Sequence, residues 1–189
     1  MSRLKEILKY NAQFIKDEKY TKYTATKEPA KKMLILSCMD TRLTELLPKA
    51  MHIKNGDAKL VKNAGATVMH PFGSVVRSMV VAIYEFGIED VFVVGHYGCG
   101  MSNLNSDALI EKIEARGISR DVLETLTHAG IDIKKWLHGF SSVEEAILES
   151  VNIIKNHPLI PKTVRVHGLI MAPDTGALTV VHDGDAETL

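Results

Sequence analysis

The sequence predicts an α/β domain: a central, mainly parallel sheet flanked by helices, with an N-terminal helical arm. Candidate strands at 33–37, 59–62, 91–94 and 163–171 alternate with stretches whose apolar residues recur at helical spacing. Such alternation implies parallel strands joined by right-handed crossovers. After the fourth run, Pro173-Asp174-Thr175-Gly176 signals a tight turn, and a fifth run at 177–182 follows, returned antiparallel to the fourth. About four parallel strands in the order 2-1-3-4, plus the antiparallel C-terminal strand, are expected; with strands two and three on opposite sides of strand one, a crevice opens at the carboxyl ends of strands one and three. With 189 residues, 46% apolar and 24% charged, the chain 1–189 reads as a single domain, residues 1–32 forming the arm and its connection.

Each element has its own signal. Leu4, Ile7, Leu8, Asn11, Phe14 and Ile15 follow helical spacing and predict an amphipathic helix. Residues 18–32 are charged, contain Pro29 and lack periodicity, so they read as an irregular connection; Lys27, Lys31 and Lys32 beside Glu28 read as a solvated surface. The 33–37 run is apolar enough to be buried on both faces. A short helix over 43–47 should stop near Pro48. Asn55-Gly56-Asp57 marks a turn, and strand two runs into Asn63-Ala64-Gly65-Ala66. Ser74 is expected to cap a helix carrying Val75, Val76, Met79, Val80, Ile83 and Phe86, with Gly87 as its stop. Ser102 is expected to cap a helix running toward Arg116 and Gly117. Residues 118–140 are ambiguous: Val122, Leu123 and Leu126 suggest a helical piece, packed down by Trp136 and Leu137. Ser142 with Glu145 forms a capping-box pattern ahead of Ala146, Ile147, Val151 and Ile154, and His157-Pro158 ends that helix.

Composition narrows the function. Lys plus Arg equals Asp plus Glu at 23 each, so no excess of charge calls for nucleic acid or another polyanion. The apolar runs are far shorter than a bilayer span, and Met1-Ser2-Arg3-Leu4-Lys5-Glu6 lacks the long apolar segment of a secretory signal. A cytoplasmic protein without a membrane partner is expected. The chain has two cysteines, Cys38 and Cys99; in a reducing compartment such a pair more often binds metal or does chemistry than forms a disulfide.

Both cysteines lie just beyond apolar runs, and His96 stands three residues before Cys99 in Gly95-His96-Tyr97-Gly98-Cys99-Gly100. The expected strand order brings Cys38, His96 and Cys99 together at the crevice. Thiolate and imidazole are zinc ligands, and a catalytic zinc has three protein ligands and one exchangeable position. A sulfur-rich set disfavours magnesium and calcium. In Cys38-Met39-Asp40-Thr41-Arg42, the Asp40 carboxylate can accept a hydrogen bond from water on the metal or take the fourth position itself, and Arg42 can hold it with paired charge-assisted bonds. Other readings of the same residues stay open: inert buried cysteines with a core histidine, a closed structural zinc with Asp40 as permanent ligand, or a redox dithiol formed by Cys38 and Cys99.

Cys38-Met39-Asp40-Thr41-Arg42, then Asn63-Ala64-Gly65, then the His96-to-Cys99 segment closely resemble the β-class carbonic anhydrases, in family order and with family-like spacing over most of residues 33–117. The resemblance implies one zinc per subunit on Cys38, His96 and Cys99, with Asp40 and Arg42 as the catalytic dyad. It implies reversible hydration of carbon dioxide to bicarbonate and a proton through zinc-bound hydroxide. It also implies a homodimer or a dimer of dimers, with active sites at the subunit boundary and N-terminal helices laid across the partner. Many larger members carry a glutamine upstream of the first zinc cysteine; the only glutamine here is Gln13, so the chain resembles the short subfamily lacking that residue. Within this frame, the Gly65 amide is a donor candidate for the product anion, and His70 a candidate proton relay, because histidine ordinarily titrates near neutrality. Val61, Val68 and Phe72 are candidate walls for the small apolar substrate, with ordinary core packing equally open for each. Asp40 is expected on the metal in a resting state. Relatives with the same zinc motif hydrolyse carbon disulfide or carbonyl sulfide, and a non-catalytic, zinc-stabilised regulatory protein is the remaining alternative.

Overall fold

The computed structural model describes residues 1–187; the last two residues of the expected domain lie outside the described residues. Among the described residues, β1 (Met33–Cys38), β2 (Ala58–Asn63), β3 (Asp90–His96), β4 (Arg165–Met171) and β5 (Leu178–His182) form one sheet in the order β2-β1-β3-β4-β5. β1 pairs in parallel with β2 and β3, β3 pairs in parallel with β4, and β5 runs antiparallel to β4. This is the expected topology. The helices are α1 (Arg3–Lys16), α2 (Leu43–Ala50), α3 (Ser74–Phe86), α4 (Ser106–Ala115), α5 (Arg120–His128), α6 (Ile133–Leu137) and α7 (Val143–Lys155).

β1 lies between two strands and is covered on both faces, which is why its sequence is apolar throughout. Leu34 and Leu36 join a core with Val76 and Met79 of α3 and with Ile147 and Ile154 of α7. Ile35 joins the opposite core with Leu43 and Leu47 of α2. Edge strand β2 mixes half-buried and exposed residues instead. Ser142 caps α7: its hydroxyl accepts the Glu145 N–H at 3.2 Å, as its capping pattern predicts. β3 runs through His96, farther than the apolar run suggests. A Cβ at Gly95 would stand 2.7 Å from Ile147 Cδ1, so α7 lies directly against the strand that delivers His96.

Several local expectations are corrected. α2 continues through Pro48 to Ala50; proline fixes a helix-compatible φ, and its missing donor costs only one bond near the helix end. Ser74 is the first residue inside α3, and Gly73 is the N-cap. Ser102 caps no helix: its N–H donates to Cys99 O at 2.9 Å, and Asn105 caps α4 by accepting the Ala108 N–H at 3.0 Å. Of the pair expected to pack this region down, Trp136 is 67% exposed on the short α6 and Leu137 is half-buried. α1 is exposed along its length apart from half-buried Phe14.

Candidate metal centre

β1 and β3 are parallel neighbours, so their carboxyl ends open side by side. Cys38 is the last residue of β1 and His96 the last of β3. The chain then turns at once, with Gly98 at φ 62°, and brings Cys99 back to the same spot. The ligating atoms of Cys38, His96 and Cys99 lie within 4.8 Å of one another, and all three residues are buried.

The two sulfurs are 3.8 Å apart. That is far beyond a disulfide bond of about 2.05 Å. It matches the separation of about 3.8 Å that two zinc–sulfur bonds of about 2.3 Å subtend at a tetrahedral angle. His96 Nδ1 faces the Tyr97 carbonyl at 2.9 Å. A carbonyl only accepts, so Nδ1 carries the proton and Nε2 keeps its lone pair. Nε2 is buried without a hydrogen-bond partner among the described residues. An isolated buried acceptor of this kind is costly, and a cation shared with the two sulfurs satisfies it. Burial pushes the Cys99 thiol up, the neighbouring Cys38 adds to this, and the Met101 N–H opposes it. A dication among these donors offsets the charge of two thiolates. The donor set therefore fits zinc.

Asp40 stands beside this group. Its Oδ1 accepts the Arg42 backbone N–H at 2.9 Å and the Arg42 Nε–H at 3.0 Å; its Oδ2 accepts from Nη2 at 2.8 Å. These bonds from Arg42 hold the carboxyl well below the usual carboxylate range. Arg42 Nη2 also donates to Gly98 O at 3.1 Å, tying the pair to the turn that carries Cys99. Asp40 Oδ2 lies 3.7 Å from His96 Nε2. The carboxylate is outside the mutual cluster of the three ligands, and in this arrangement it belongs to Arg42.

Gly65 is buried in the turn that continues β2, next to Asn63, the register partner of Cys38. Its φ of 81° favours glycine, and a Cβ there would meet Phe140 Cε1 at 2.8 Å. His70 is exposed, with Nδ1 accepting the Phe72 N–H at 3.2 Å, and stands outside the ligand group. Of the two roles left open for the candidate walls, core packing is the one seen at Val61 and Val68. Val61 and Val68 pack in the core under α3 and α7, not in the one containing Cys38 and Cys99. The reason at Val68 is a long-range bond: its N–H donates to the buried Ser150 hydroxyl of α7 at 3.0 Å. Phe72 is 68% exposed and lies against His157. Met101 and Phe140, which the sequence did not single out, pack on the core of the two cysteines.

The family model described as carbonic anhydrase matches residues 33–178. The crystal structure of β-carbonic anhydrase isoform I from Trichomonas vaginalis is 33% identical, with a TM-score of 0.88 over 97% of this chain and 100% of that one. The chain belongs to the β-class carbonic anhydrase family. Among carbonic anhydrase relatives, "Putative carbonic anhydrase YvdA" of Bacillus subtilis is 58% identical over 184 residues, 97% of this chain and 93% of that protein. A carbon disulfide hydrolase of Acidithiobacillus thiooxidans is 30% identical over 161 residues, 80% of this chain and 78% of that protein. The carbonic anhydrase match spans all three ligand positions. Among the described residues, no helix is long and apolar enough to cross a membrane.

Proposed function

We propose that this chain catalyses the reversible hydration of carbon dioxide to bicarbonate and a proton, using one zinc ion per subunit held by Cys38, His96 and Cys99. One observation carries the reading: the Asp40 carboxylate, fixed by Arg42, lies 3.7 Å from the unbonded Nε2 of His96. A structural zinc is closed by four protein ligands; here three donors cluster and an ionised acceptor waits at the edge. A zinc ion bound there supplies the Lewis acidity that brings the ionisation of water into the neutral range.

The chain's own residues do the rest. Asp40 accepts a hydrogen bond from the attacking oxygen and turns its lone pair toward the substrate carbon. Arg42 keeps Asp40 ionised and oriented. If the bonds to Arg42 release, Asp40 can reach the fourth position and close the centre in a resting state. The Gly65 N–H offers a donor to the product anion. Exposed His70 passes the proton to buffer.

The whole chain acts as one domain of the short subfamily lacking the active-site glutamine; Gln13 lies on α1 and donates to Asp17. It assembles as a homodimer or a dimer of dimers in the reducing cytoplasm. Support for assembly comes from α1, where Leu4, Ile7 and Leu8 are exposed.

Hydrolysis of carbon disulfide or carbonyl sulfide is the second reading, supported by the hydrolase relative at 30% identity. Zinc content combined with stopped-flow assays on carbon dioxide and carbon disulfide tests both. The expected outcome is stoichiometric zinc with rapid carbon dioxide hydration. Zinc-loaded protein that consumes only carbon disulfide shifts the assignment to the second reading. Zinc without turnover of either leaves a structural or regulatory role.

A further inference from the structure

Phe140 lies in the connection between α6 and α7. Backbone bonds lash that connection to the turn beyond Cys99: the Phe140 N–H donates to Met101 O at 3.2 Å, and the Asn103 N–H donates to Phe140 O at 2.8 Å. The same turn is tied to the centre, because the Met101 N–H donates to Cys99 Sγ at 3.5 Å. The phenyl ring is thereby held against Gly65, close enough that a Cβ there would stand 2.8 Å from Cε1, with Met101 Cγ at 3.3 Å. Phe140 and Met101 pack on the apolar core containing Cys38, Cys99 and Ala66. Phe140 also lines a cleft of about 330 Å³ with Leu104, His138 and Ser141, a cleft to which Gly65 and the metal ligands do not contribute.

We propose that Phe140 is a specificity-determining residue: packed beside Met101 at Gly65, it forms the apolar partition between the metal centre and this cleft, and so limits the size of the linear substrate that fits beside Gly65. The proposal rests on the reading that the centre acts on carbon dioxide or its sulfur analogues. Such molecules offer few hydrogen-bonding handles, so contact with a fixed wall has to place them, and a gap forfeits those contacts. The Phe140 ring suits this task because both backbone bonds and the close approach at Gly65 fix it. Removing the ring joins the centre to the cleft and admits a longer, bulkier molecule.

Full-length, zinc-loaded Phe140→Ala and Phe140→Leu variants test this. The ratio of kcat/KM for carbon disulfide to that for carbon dioxide should rise about tenfold or more in Phe140→Ala, and less in Phe140→Leu, the scale of discrimination a shaped apolar pocket provides. Zinc should stay at the wild-type level in both. A ratio unchanged in both variants, with zinc retained, overturns the proposal. If Phe140→Ala does not fold, Phe140→Leu carries the test, and an unchanged ratio there overturns it equally.

Wild-type protein separates this from the underlying reading. If zinc-loaded wild type turns over neither substrate, the hydration reading fails, and the partition is tested by binding instead. Cobalt-substituted wild-type and variant proteins are titrated with azide and thiocyanate while the visible absorption is followed. Truncation at Phe140 should favour thiocyanate, the bulkier linear anion, over azide. Unchanged relative affinities overturn the partition.

Discussion

The sheet carries a histidine among ligating groups at each end. His96 closes β3 at the carboxyl end. His167 sits near the amino end of β4, and its ligating atoms and those of Asp183 and Asp185 also lie within 4.8 Å of one another. On proximity alone the two clusters look equivalent. They differ in what the imidazole nitrogens already do. His167 Nδ1 accepts the Gly184 N–H at 3.2 Å, its Nε2 lies 3.5 Å from Asp90 Oδ1, and its ring stacks on Phe92 at 4.5 Å. A cation is already built in, since Arg165 binds Asp90 at 2.5 and 2.7 Å and approaches Asp185 at 3.4 Å. His96 has only its Nδ1 engaged, and Nε2 is buried without a partner among the described residues. Clustered ligand types do not make a site; a buried lone pair left open among them does.

The largest effect expected from this contrast is on metal content. Cys99→Ala removes one of three ligands. Elemental analysis should show zinc lost, and hydration should fall by more than about a hundredfold, beyond what loss of an outer-shell partner costs. Asp183→Ala, made in the other cluster, should leave zinc and activity at wild-type levels. Stoichiometric zinc in Cys99→Ala, or loss of zinc in Asp183→Ala, breaks the comparison.

Next in size is the pair proposed to turn a metal site into a catalytic one. Asp40→Ala should retain zinc and lose about a hundredfold in kcat, because the ligands remain while the orienting acceptor is gone. Arg42→Lys should fall between, since an ammonium cannot reproduce the two-point grip on the carboxylate. Full hydration activity in Asp40→Ala, together with a flat pH–rate profile, removes both the aiming and the gating roles.

The amino-end network should respond in stability rather than in chemistry. Arg165 hydrogen bonds hold the Asp90 carboxyl below its ordinary range. An unfolded aspartate, with a pKa of about 3.9, then binds more protons than the folded one near that pH, so stability rises with pH there. The contribution of Asp90 is present above about pH 4 and is lost as pH falls toward its lowered folded value. Asp90→Asn should cost about 1–2 kcal/mol at neutral pH, the scale of a hydrogen bond to a charged group. It should also flatten the acid limb of a plot of Tm against pH, with zinc unchanged.

The same contrast explains what the sequence made legible. Strand order could be read from the alternation of candidate strands with helical stretches, and the three donors because Cys38 directly follows one apolar run while His96 and Cys99 come shortly after another. The walls could not be read. Which core receives Val68 depends on its bond to Ser150, and Phe140 reaches Gly65 only through its pairing with the turn at Met101 and Asn103. That pairing also explains Ser102: it belongs to the turn, so α4 waits for Asn105. Local capping patterns succeeded at Ser142, where, among the described residues, no distant partner competes for the hydroxyl's role.

The smallest effect tests a third histidine, which is neither orphaned nor enclosed. His70 is exposed on the turn before α3, and its Nδ1 accepts the Phe72 N–H. That bond orients the ring of an exposed residue, whereas His167 at the amino end is buried and has both ring nitrogens near partners. A relay limits turnover only when buffer is scarce. His70→Ala should therefore lower kcat by less than about tenfold in dilute buffer, at the weak end of what a positioned proton-transfer group contributes. The deficit should shrink as imidazole is added, with KM and zinc unchanged. A rate in dilute buffer equal to wild type assigns proton release to solvent directly. A deficit that imidazole does not repair places His70 in the structure of the 70–73 turn.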